Sequence, residues 1–166
     1  MIVVVWGVSG CGKSTVGKLL ADRLDWAFHD ADDYHPAENI NKMRQGIPLD
    51  DEDRYPWLAR LAAMLREIND ADRDAVLACS ALKQKYRKLL GINHADIKGV
   101  HLSGSEDVIR ERLTGRSHDF MSNSLLASQF SALESCTEGL SLDITLHPEA
   151  LCESIITNLE LNRTSD

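Results

Sequence analysis

The amino-acid sequence predicts an α/β fold in which helices cover both faces of a parallel sheet. Short apolar segments alternate with amphipathic ones along the chain, as expected when successive βαβ units build one sheet. The first apolar segment, IVVVW at residues 2–6, is rich in β-branched side chains without polar alternation, which is typical of a buried parallel strand. With 166 residues, 43% of them hydrophobic, the chain suits a single domain over residues 1–166.

Each element follows from local patterns. The five predicted strands are 2–6, WAFHD at 26–30, AVLACS at 75–80, IKGVHL at 97–102 and LSLDITL at 140–146. The predicted helices are 13–24, 37–45, 56–69, 83–90, 105–113, 122–134 and 148–160. Pro56 and Pro148 suit the first turns of their helices, because proline's missing N–H is not needed there.

The charge and cysteine content exclude several classes of function. The formal net charge is −8, which argues against a surface that coats nucleic acid. The four cysteines, at positions 11, 79, 136 and 152, form no CxxC pair, so we expect reduced thiols rather than a disulfide frame. No apolar stretch approaches the roughly 20 residues that a membrane span needs. We expect a soluble cytoplasmic protein with no secretory signal and no membrane partner.

The glycine-rich run GVSGCGKST, residues 7–15, lies between the first strand and the first helix. It fits the pattern G-x-x-x-x-G-K-[ST], in which backbone N–H groups and a helix N-terminus cradle nucleotide phosphates. The lysine reaches the β- and γ-phosphates and the serine hydroxyl can bind Mg²⁺. The sequence therefore predicts a nucleoside triphosphate site, ATP with Mg²⁺. Its predicted residues are Gly7, Val8, Ser9, Gly10, Cys11, Gly12, Lys13, Ser14 and Thr15.

The position of the acidic residues favours a small-molecule kinase over a GTPase or a motor ATPase. The sequence has no N-K-x-D guanine motif, and the strand AVLACS ends without an acid that could hold Mg²⁺. Asp30 and Asp32 instead follow the second strand, and on an extended segment they would point the same way. One of them can hold Mg²⁺ while the other accepts a proton from the attacking hydroxyl. Asp33 is interpreted as solvated.

The segment RLTGR, Arg112 to Arg116, precedes a polar stretch with the composition of a mobile lid. An arginine of the lid can neutralise charge on the transferring phosphoryl group, the role that we predict for Arg116. A guanidinium can also stack on the adenine ring, the role that we predict for Arg112.

Together these motifs resemble the nucleoside monophosphate kinase and shikimate kinase group. The stretch HDADDYHPAENINKMRQGIPLDDEDRYPWL, followed by CSALKQKYR and later by SQFSALE, resembles the small P-loop gluconokinases. The resemblance implies ATP-dependent phosphorylation of D-gluconate on its 6-hydroxyl by direct in-line transfer. It also implies a three-layer P-loop kinase fold with strand order 2-3-1-4-5, a substrate-binding region at 34–58, a lid at 114–122, and a homodimer as the assembly to test.

The resemblance also separates the two acidic residues: by analogy with the shikimate kinases, Asp32 lies by the acceptor hydroxyl and Asp30 by the metal. A small anionic polyol needs an arginine for its carboxylate and mixed partners for its hydroxyls. The candidates for substrate binding are Asp32, His35, Asp51, Arg54, Lys83 and Arg87. Shikimate or a nucleoside monophosphate remains an alternative acceptor, and a nucleotide-binding module without turnover remains an alternative from another class.

One segment departs from the family pattern. The family's lid resembles R-x-x-H-F-[MF], whereas this chain reads RSHDFM, with His118 one place early and Asp119 where histidine is expected. Arg116 keeps its position, so its predicted role stands, whereas a role for the lid histidine does not follow.

Overall fold

The computed structural model describes residues 1–94, 96–114 and 123–162 of the chain. In these ranges five strands form one sheet: β1 Ile2–Trp6, β2 Ala27–Asp30, β3 Ala75–Cys79, β4 Ile97–Ser103 and β5 Leu140–Asp143. The strand order is β2-β3-β1-β4-β5, and every neighbouring pair runs parallel. The predicted α/β class and the strand order are both confirmed.

Seven α-helices accompany the sheet in the described ranges, and a 3₁₀ turn, Ala31–Tyr34, follows β2. The helices are α1 Lys13–Leu24, α2 Ala37–Arg44, α3 Asp51–Asp70, α4 Gln84–Leu89, α5 Glu106–Thr114, α6 Asn123–Ala132 and α7 Pro148–Leu159. None of these helices combines the length and the apolar character that crossing a bilayer requires.

The core lies on both faces of the sheet, because alternate side chains of a strand point in opposite directions. On one face of β1, Val3 and Val5 belong to an apolar cluster that includes residues of α1 and α7. On the other face, Val4 and Trp6 belong to a second cluster that includes Leu58 and other residues of α3. Helices therefore cover both faces, as the three-layer prediction requires.

The start of α3 corrects the sequence prediction. The helix begins at Asp51 rather than at residue 56, so Pro56 lies in its second turn and not in its first. A capping box causes the earlier start: Asp53 N–H donates to Asp50 Oδ1 at 2.8 Å, and Asp50 N–H donates to Asp53 Oδ2 at 3.1 Å. This box stabilises the helix start one turn before the proline.

The segment after β2 is a second correction. Residues 31–34 form a 3₁₀ turn, so Asp30 and Asp32 do not lie on one extended segment. Asp30 ends the strand, and its Oδ1 accepts a hydrogen bond from Asp32 N–H at 3.0 Å. The last predicted strand is also shorter than expected, because the Asp143 carboxylate accepts from Thr145 N–H at 2.8 Å and turns the chain after residue 143.

Candidate active site

The glycine-rich loop joins the end of β1 to the start of α1, the strand–loop–helix context that the motif needs. Gly7 has φ +149°, and a Cβ there would lie 2.8 Å from Leu102 O and 2.9 Å from Cys11 Sγ. Gly12, with φ +97°, immediately precedes α1. Both positions require glycine because L side chains rarely adopt such φ values. The N–H groups at the start of α1 and the positive end of its dipole therefore face the loop.

Lys13 and Ser14 begin α1 and face different partners. Lys13 Nζ donates to the Val8 carbonyl at 3.0 Å, so the ammonium lies against the loop. Ser14 Oγ donates to Asp30 Oδ2 at 2.7 Å, which joins the loop to the end of β2. A hydroxyl and a carboxylate are hard oxygen ligands of the kind that Mg²⁺ prefers.

Mg²⁺ at this pair would need further ligands. Among the residues that the structure describes, no group of three or more His, Cys, Asp or Glu side chains is gathered around a possible metal position. Mg²⁺ in kinases usually has one or two protein ligands together with substrate phosphates and water. The Ser14–Asp30 pair fits that kind of site rather than a metal cage made by protein alone.

Asp32 lies in the 3₁₀ turn beside this pair. Its side chain lines the cavity, on the side open to solvent. The protein around the carboxylate nevertheless raises its pKa above the ordinary value, with desolvation as the main cause, repulsion from Asp30 as the next and Lys13 acting in the opposite direction. A carboxylate with a raised pKa, open to the cavity, suits proton acceptance.

His35 is buried next to Asp32 as a neutral side chain. Its ring stacks on the Trp57 indole, with 4.1 Å between the ring centres. Burial, with a smaller contribution from Arg54, lowers the pKa of His35 to about 4.

The hydrogen bonds of Asn39 identify which nitrogen of His35 carries the proton. Asn39 Nδ2 donates to the Asp53 carbonyl at 2.9 Å, so this atom is the amide nitrogen, and it lies 3.2 Å from His35 Nδ1. Nδ1 is therefore the acceptor and Nε2 carries the hydrogen. Because Nε2 lies 3.9 Å from Asp32 Oδ1, the N–H is on the side of the carboxylate.

One cavity of about 590 Å³ extends from the glycine-rich loop to α3. Most of the predicted site residues in the described ranges line it. They are Ser9, Gly10, Gly12, Lys13, Ser14, Thr15, Asp30, Asp32, His35, Arg54 and Arg112. Gly7 and Val8 are buried beneath the loop, and Cys11 is buried as well. Arg116 and the predicted lid after residue 114 lie outside the described residues, as do His118 and Asp119.

Of the cations predicted to bind the substrate, Arg54 lines this cavity. It belongs to the first turns of α3, and its Nη1 donates to Tyr86 Oη at 3.3 Å. Its guanidinium carbon also lies 5.5 Å from the centre of the Tyr86 ring. Tyr86 therefore supports Arg54 from α4 while Arg54 faces the cavity.

Asp51 and Lys83 are predicted substrate contacts that the structure places outside the lining of the main cavity. Asp51 Oδ1 accepts from Lys83 Nζ at 3.1 Å and from Tyr86 Oη, and Asp51 Oδ2 accepts from Lys85 Nζ. These donors, Lys85 first, hold the pKa of Asp51 well below its usual range. The cluster joins the first turn of α3 to the segment that begins α4, because opposite charges from both elements meet there.

Arg87 is a predicted substrate contact that the structure places away from the main cavity. The residue is only 4% exposed, and its guanidinium donates to the carbonyls of residues 81, 82, 134 and 135 at 2.9–3.4 Å. The guanidinium carbon lies 4.3 Å from the centre of the Trp6 ring. Since its donors are used on the backbone and it does not line the cavity, Arg87 stabilises the fold.

Arg112 lies between the main cavity and a second one of about 370 Å³. Its guanidinium donates to the Ile144 carbonyl, which anchors it beside the end of β5. The second cavity is bounded by the loop residues Gly10 and Cys11, by Leu146 and by Pro148 at the start of α7. Arg112 thus borders a cavity in which a flat ring could lie. Its stacking on the adenine ring stays a prediction.

The residues that line the main cavity and that sequence reasoning missed include Arg44, Ser128 and Gln129. Gln129 Oε1 accepts a hydrogen bond from Ser9 N–H in the glycine-rich loop at 2.7 Å. The segment SQFSALE contributed to the family resemblance, but its pattern assigns no role to either polar side chain. Arg44 is an exposed cation of α2, and no sequence pattern separates such a residue from a solvated one.

Comparisons with known proteins agree with this geometry. The shikimate kinase family model matches residues 9–139. A probable gluconokinase of Mus musculus is 47% identical over 150 residues, which cover 80% of this chain and 82% of that protein. The gluconokinase of Gluconobacter oxydans is 42% identical over 161 residues, covering 95% of this chain and 90% of that protein.

A solved structure extends the agreement to three dimensions. The crystal structure of a gluconokinase from Sinorhizobium meliloti is 38% identical, with a TM-score of 0.84, and covers 95% of this chain and 90% of that one. Because the matched relatives are kinases, the alternative prediction of a nucleotide-binding module without turnover is excluded. This chain is a kinase and belongs to the gluconokinase family, within the shikimate kinase-like P-loop fold.

Proposed function

We propose that this kinase transfers the terminal phosphoryl group of ATP to the 6-hydroxyl of D-gluconate, giving 6-phospho-D-gluconate. The observation that carries the proposal is that one cavity is lined both by Lys13 and Ser14 of the loop and by Asp32, His35 and Arg54. A phosphate cradle and an acceptor pocket in one cavity allow direct transfer, so no phospho-enzyme is needed. The gluconokinases among the relatives support gluconate as the acceptor.

The nucleotide half of the proposal rests on the glycine-rich loop. The loop amides and the start of α1 bind the phosphates, and Lys13 pairs with the β- and γ-phosphates. Ser14 and Asp30 would hold Mg²⁺, which neutralises charge on those phosphates when bound. Arg112 would stack on the adenine in the second cavity, where Leu146 and Pro148 offer an apolar wall.

The acceptor half begins at Asp32. Asp32 accepts the proton of the 6-hydroxyl as that oxygen attacks, and its raised pKa brings it nearer to the operating pH than an ordinary aspartate. The Nε2–H of neutral His35 is on the side of the same carboxylate and orients either Asp32 or a substrate hydroxyl. Lys13, with Arg116 of the predicted lid, stabilises the charge that develops on the phosphoryl group.

The gluconate carboxylate needs a cation at the far end of the cavity from the loop. Arg54 is the first candidate, because it lines the cavity and Tyr86 holds its guanidinium from behind. Arg44 is a second cation on the same cavity wall. An arginine can bind a carboxylate through two parallel N–H donors, which favours sugar acids over uncharged sugars.

The proposal is tested by acceptor-dependent ADP release. The purified protein, with ATP and Mg²⁺, is assayed with D-gluconate, shikimate and AMP in parallel, and the product is identified by ³¹P NMR. We expect D-gluconate to give at least a tenfold larger kcat/KM than either other acceptor, with the phosphate on the 6-oxygen. A preference for shikimate or AMP, or ADP release that no sugar acid stimulates, would overturn the proposed acceptor.

A further inference from the structure

The peptide unit between Val8 and Ser9 is bonded on both of its edges. Its carbonyl, from Val8, accepts from Lys13 Nζ at 3.0 Å and from Cys11 N–H at 3.3 Å. Its N–H, from Ser9, donates to Gln129 Oε1 at 2.7 Å. Because C=O and N–H point in opposite directions across a trans peptide, Lys13 and Gln129 hold the same rigid plane from opposite sides.

The Gln129 contact is a long-range one. The residue lies on α6, 120 positions after Ser9 in the chain. Within the described residues, its side-chain oxygen is the acceptor of the Ser9 N–H. A distance of 2.7 Å lies at the short end of the usual range for N–H···O hydrogen bonds. The bond therefore adds a long-range restraint to the orientation of this loop peptide, whose carbonyl edge Cys11 N–H already holds from within the loop.

Lys13 depends on this orientation. Its ammonium rests on the Val8 carbonyl, and rotation of the Val8–Ser9 plane would swing that carbonyl away from the lysine. A lysine side chain has four rotatable bonds, so a fixed carbonyl limits the positions that its charge occupies. Lys13 and Gln129 both line the main cavity, so the supported lysine is part of the wall of the proposed nucleotide site.

We propose that Gln129 is a positioning residue for Lys13, acting through the Val8–Ser9 peptide. This inference rests on the proposed ATP-dependent activity, since it concerns the lysine that pairs with the β- and γ-phosphates. Gln129 need not touch the substrate. Its amide oxygen holds the N–H edge of the peptide, and the carbonyl edge of the same peptide then holds the ammonium in reach of the terminal phosphate.

The test compares two substitutions at this position. Gln129→Met keeps the length and approximate volume of the side chain but removes the acceptor for Ser9 N–H. We expect kcat at saturating ATP and gluconate to fall at least tenfold, with the KM for gluconate within threefold. The affinity ratio between a non-hydrolysable ATP analogue and ADP, measured by calorimetry, should fall severalfold, because the lysine loses its hold on the terminal phosphate.

Gln129→Glu keeps an oxygen acceptor at the same reach. Its negative charge should raise the KM for ATP, but kcat at saturation should recover to within about threefold of the unaltered enzyme. Ser131→Ala is the matched control: the position is exposed, its hydroxyl donates to the Ala127 carbonyl of the same helix, and the substitution should change neither quantity. Thermal unfolding of every variant separates loss of Lys13 positioning from loss of folding. If Gln129→Met is unfolded, Gln129→Ala serves as a second variant without the acceptor.

The outcomes are distinguishable from failure of the proposed function. If the unaltered protein binds neither the ATP analogue nor ADP, the proposed function fails. If it binds both, a folded acceptor-free variant with kcat within twofold of the unaltered value overturns the role of Gln129. The role would likewise be overturned if Gln129→Met and Gln129→Glu lost kcat equally and the affinity ratio between the ATP analogue and ADP were unchanged. That result would indicate a purely structural contact.

Discussion

Asp30 and Asp32 are two residues apart, yet their surroundings give them different chemistry. The carboxylate of Asp30 accepts from Ser14 Oγ and from Asp32 N–H, so it is held in place and suited to bind a metal ion. The carboxylate of Asp32 faces the cavity with a raised pKa, caused by desolvation and by repulsion from Asp30. The geometry therefore agrees with a metal role for the first and a proton-accepting role for the second.

Replacing Asp32 by Asn should abolish proton acceptance while leaving the nucleotide half of the cavity unchanged. Asp32→Asn is expected to lower kcat by about 10²- to 10⁴-fold, the usual contribution of a general base. The affinity for a non-hydrolysable ATP analogue, measured by calorimetry, should stay within threefold.

The matched control for this prediction is Asp33→Asn. Asp33 is exposed and does not line the cavity, and its charge is the smallest of the causes acting on the pKa of Asp32. Asp33→Asn therefore removes a neighbouring negative charge while keeping the proposed proton acceptor. Turnover by Asp32→Asn within tenfold of the Asp33→Asn enzyme would refute the role of Asp32 as proton acceptor.

Arg87 is a fold-stabilising residue, and a substitution can establish this directly. Arg87→Met removes the donors of four backbone carbonyls and the contact with Trp6, and buried carbonyls without donors cost about 1–3 kcal/mol each. We expect the free energy of unfolding, measured with urea, to fall by about 3 kcal/mol or more. Lys88→Met, the exposed neighbour on α4, should change it by less than about 0.5 kcal/mol.

The two arginines explain how far sequence alone could predict the site. The glycine-rich loop could be predicted because glycine and lysine at fixed spacing dictate the backbone conformation and the ligand together. Arg54 and Arg87 look alike in sequence, since each is a cation in a family-like segment. One faces the cavity and the other faces carbonyls, and this difference depends on tertiary packing that spacing does not encode. Gln129 was missed for the same reason, because its partner Ser9 is 120 residues away.

At the scale of elements, the predicted substrate-binding region is tied together at the first turn of α3. Lys42 of α2 donates to both Asp53 oxygens at 2.7 and 2.8 Å, and Asn39 of α2 donates to the Asp53 carbonyl. On the other side, Asp51 bonds to Lys83, Lys85 and Tyr86. The turn that carries Arg54 is therefore held from α2 and from α4 at once.

These ties also explain why the boundaries of α3 were hard to predict. Proline normally indicates a helix start, so the sequence pattern predicted residue 56. The capping box at Asp50 and Asp53 provides the N-terminal hydrogen bonds one turn earlier. Asp53 is also the partner of Lys42, so a tertiary contact supports the same carboxylate that caps the helix.

The Asp51 cluster predicts an effect on gluconate binding without direct contact. Asp51→Asn weakens the attachment of Tyr86 and its neighbours to α3, and Tyr86 supports Arg54. We expect the KM for gluconate to rise about three- to tenfold, with kcat and the KM for ATP within twofold. Steady-state kinetics with each substrate varied in turn will measure this.

Glu52→Gln is the control for Asp51→Asn, since Glu52 is the next residue of the same turn and is exposed. It removes one negative charge from the same end of α3 while leaving the cluster intact. A larger effect of Glu52→Gln than of Asp51→Asn on the KM for gluconate would contradict the role assigned to the cluster.

At the scale of the whole molecule, the strand order determines where the site lies. In the sheet, β2 and β3 lie on one side of β1, and β4 and β5 lie on the other side. The strand order therefore reverses at β1. Ligands of open α/β sheets bind outside the carboxyl ends of the strands at such a point. The alternation of strands and helices could be predicted from sequence periodicity, whereas the order of the strands came from family resemblance.

Buried neutral histidines make the stability of the whole fold dependent on pH. Desolvation lowers the pKa values of His29 and His101, and lowers that of His35 to about 4. In the unfolded chain a histidine binds a proton near pH 6.5, so the unfolded state gains protons that the folded state does not. Stability is therefore fully present above about pH 6.5 and is lost as the pH falls toward 4.

For His35 this loss should be on the order of 1 kcal/mol between pH 7.5 and pH 5.5. His35→Gln should lower the stability at pH 7.5 because the contact with Trp57 is lost, but it should reduce the decline on acidification by that amount. Urea unfolding at the two pH values measures both effects. His94→Gln, at an exposed position before β4, is the control and should show the same loss of stability between pH 7.5 and pH 5.5 as the unaltered protein. An equally large loss in the His35→Gln protein would contradict the prediction.

The stacking of Trp57 on His35 also has an optical consequence. Trp57 is buried, its indole N–H donates to the Ala31 carbonyl at 2.7 Å, and the residue lines the cavity at the acceptor end. Indole emission responds to nearby charge and to solvent access, and an acceptor beside His35 changes both. Trp57 is thus a fluorophore on the cavity wall beside His35, and the difference in emission between the unaltered protein and a Trp57→Phe protein, which keeps the other two tryptophans, can follow ligand entry there.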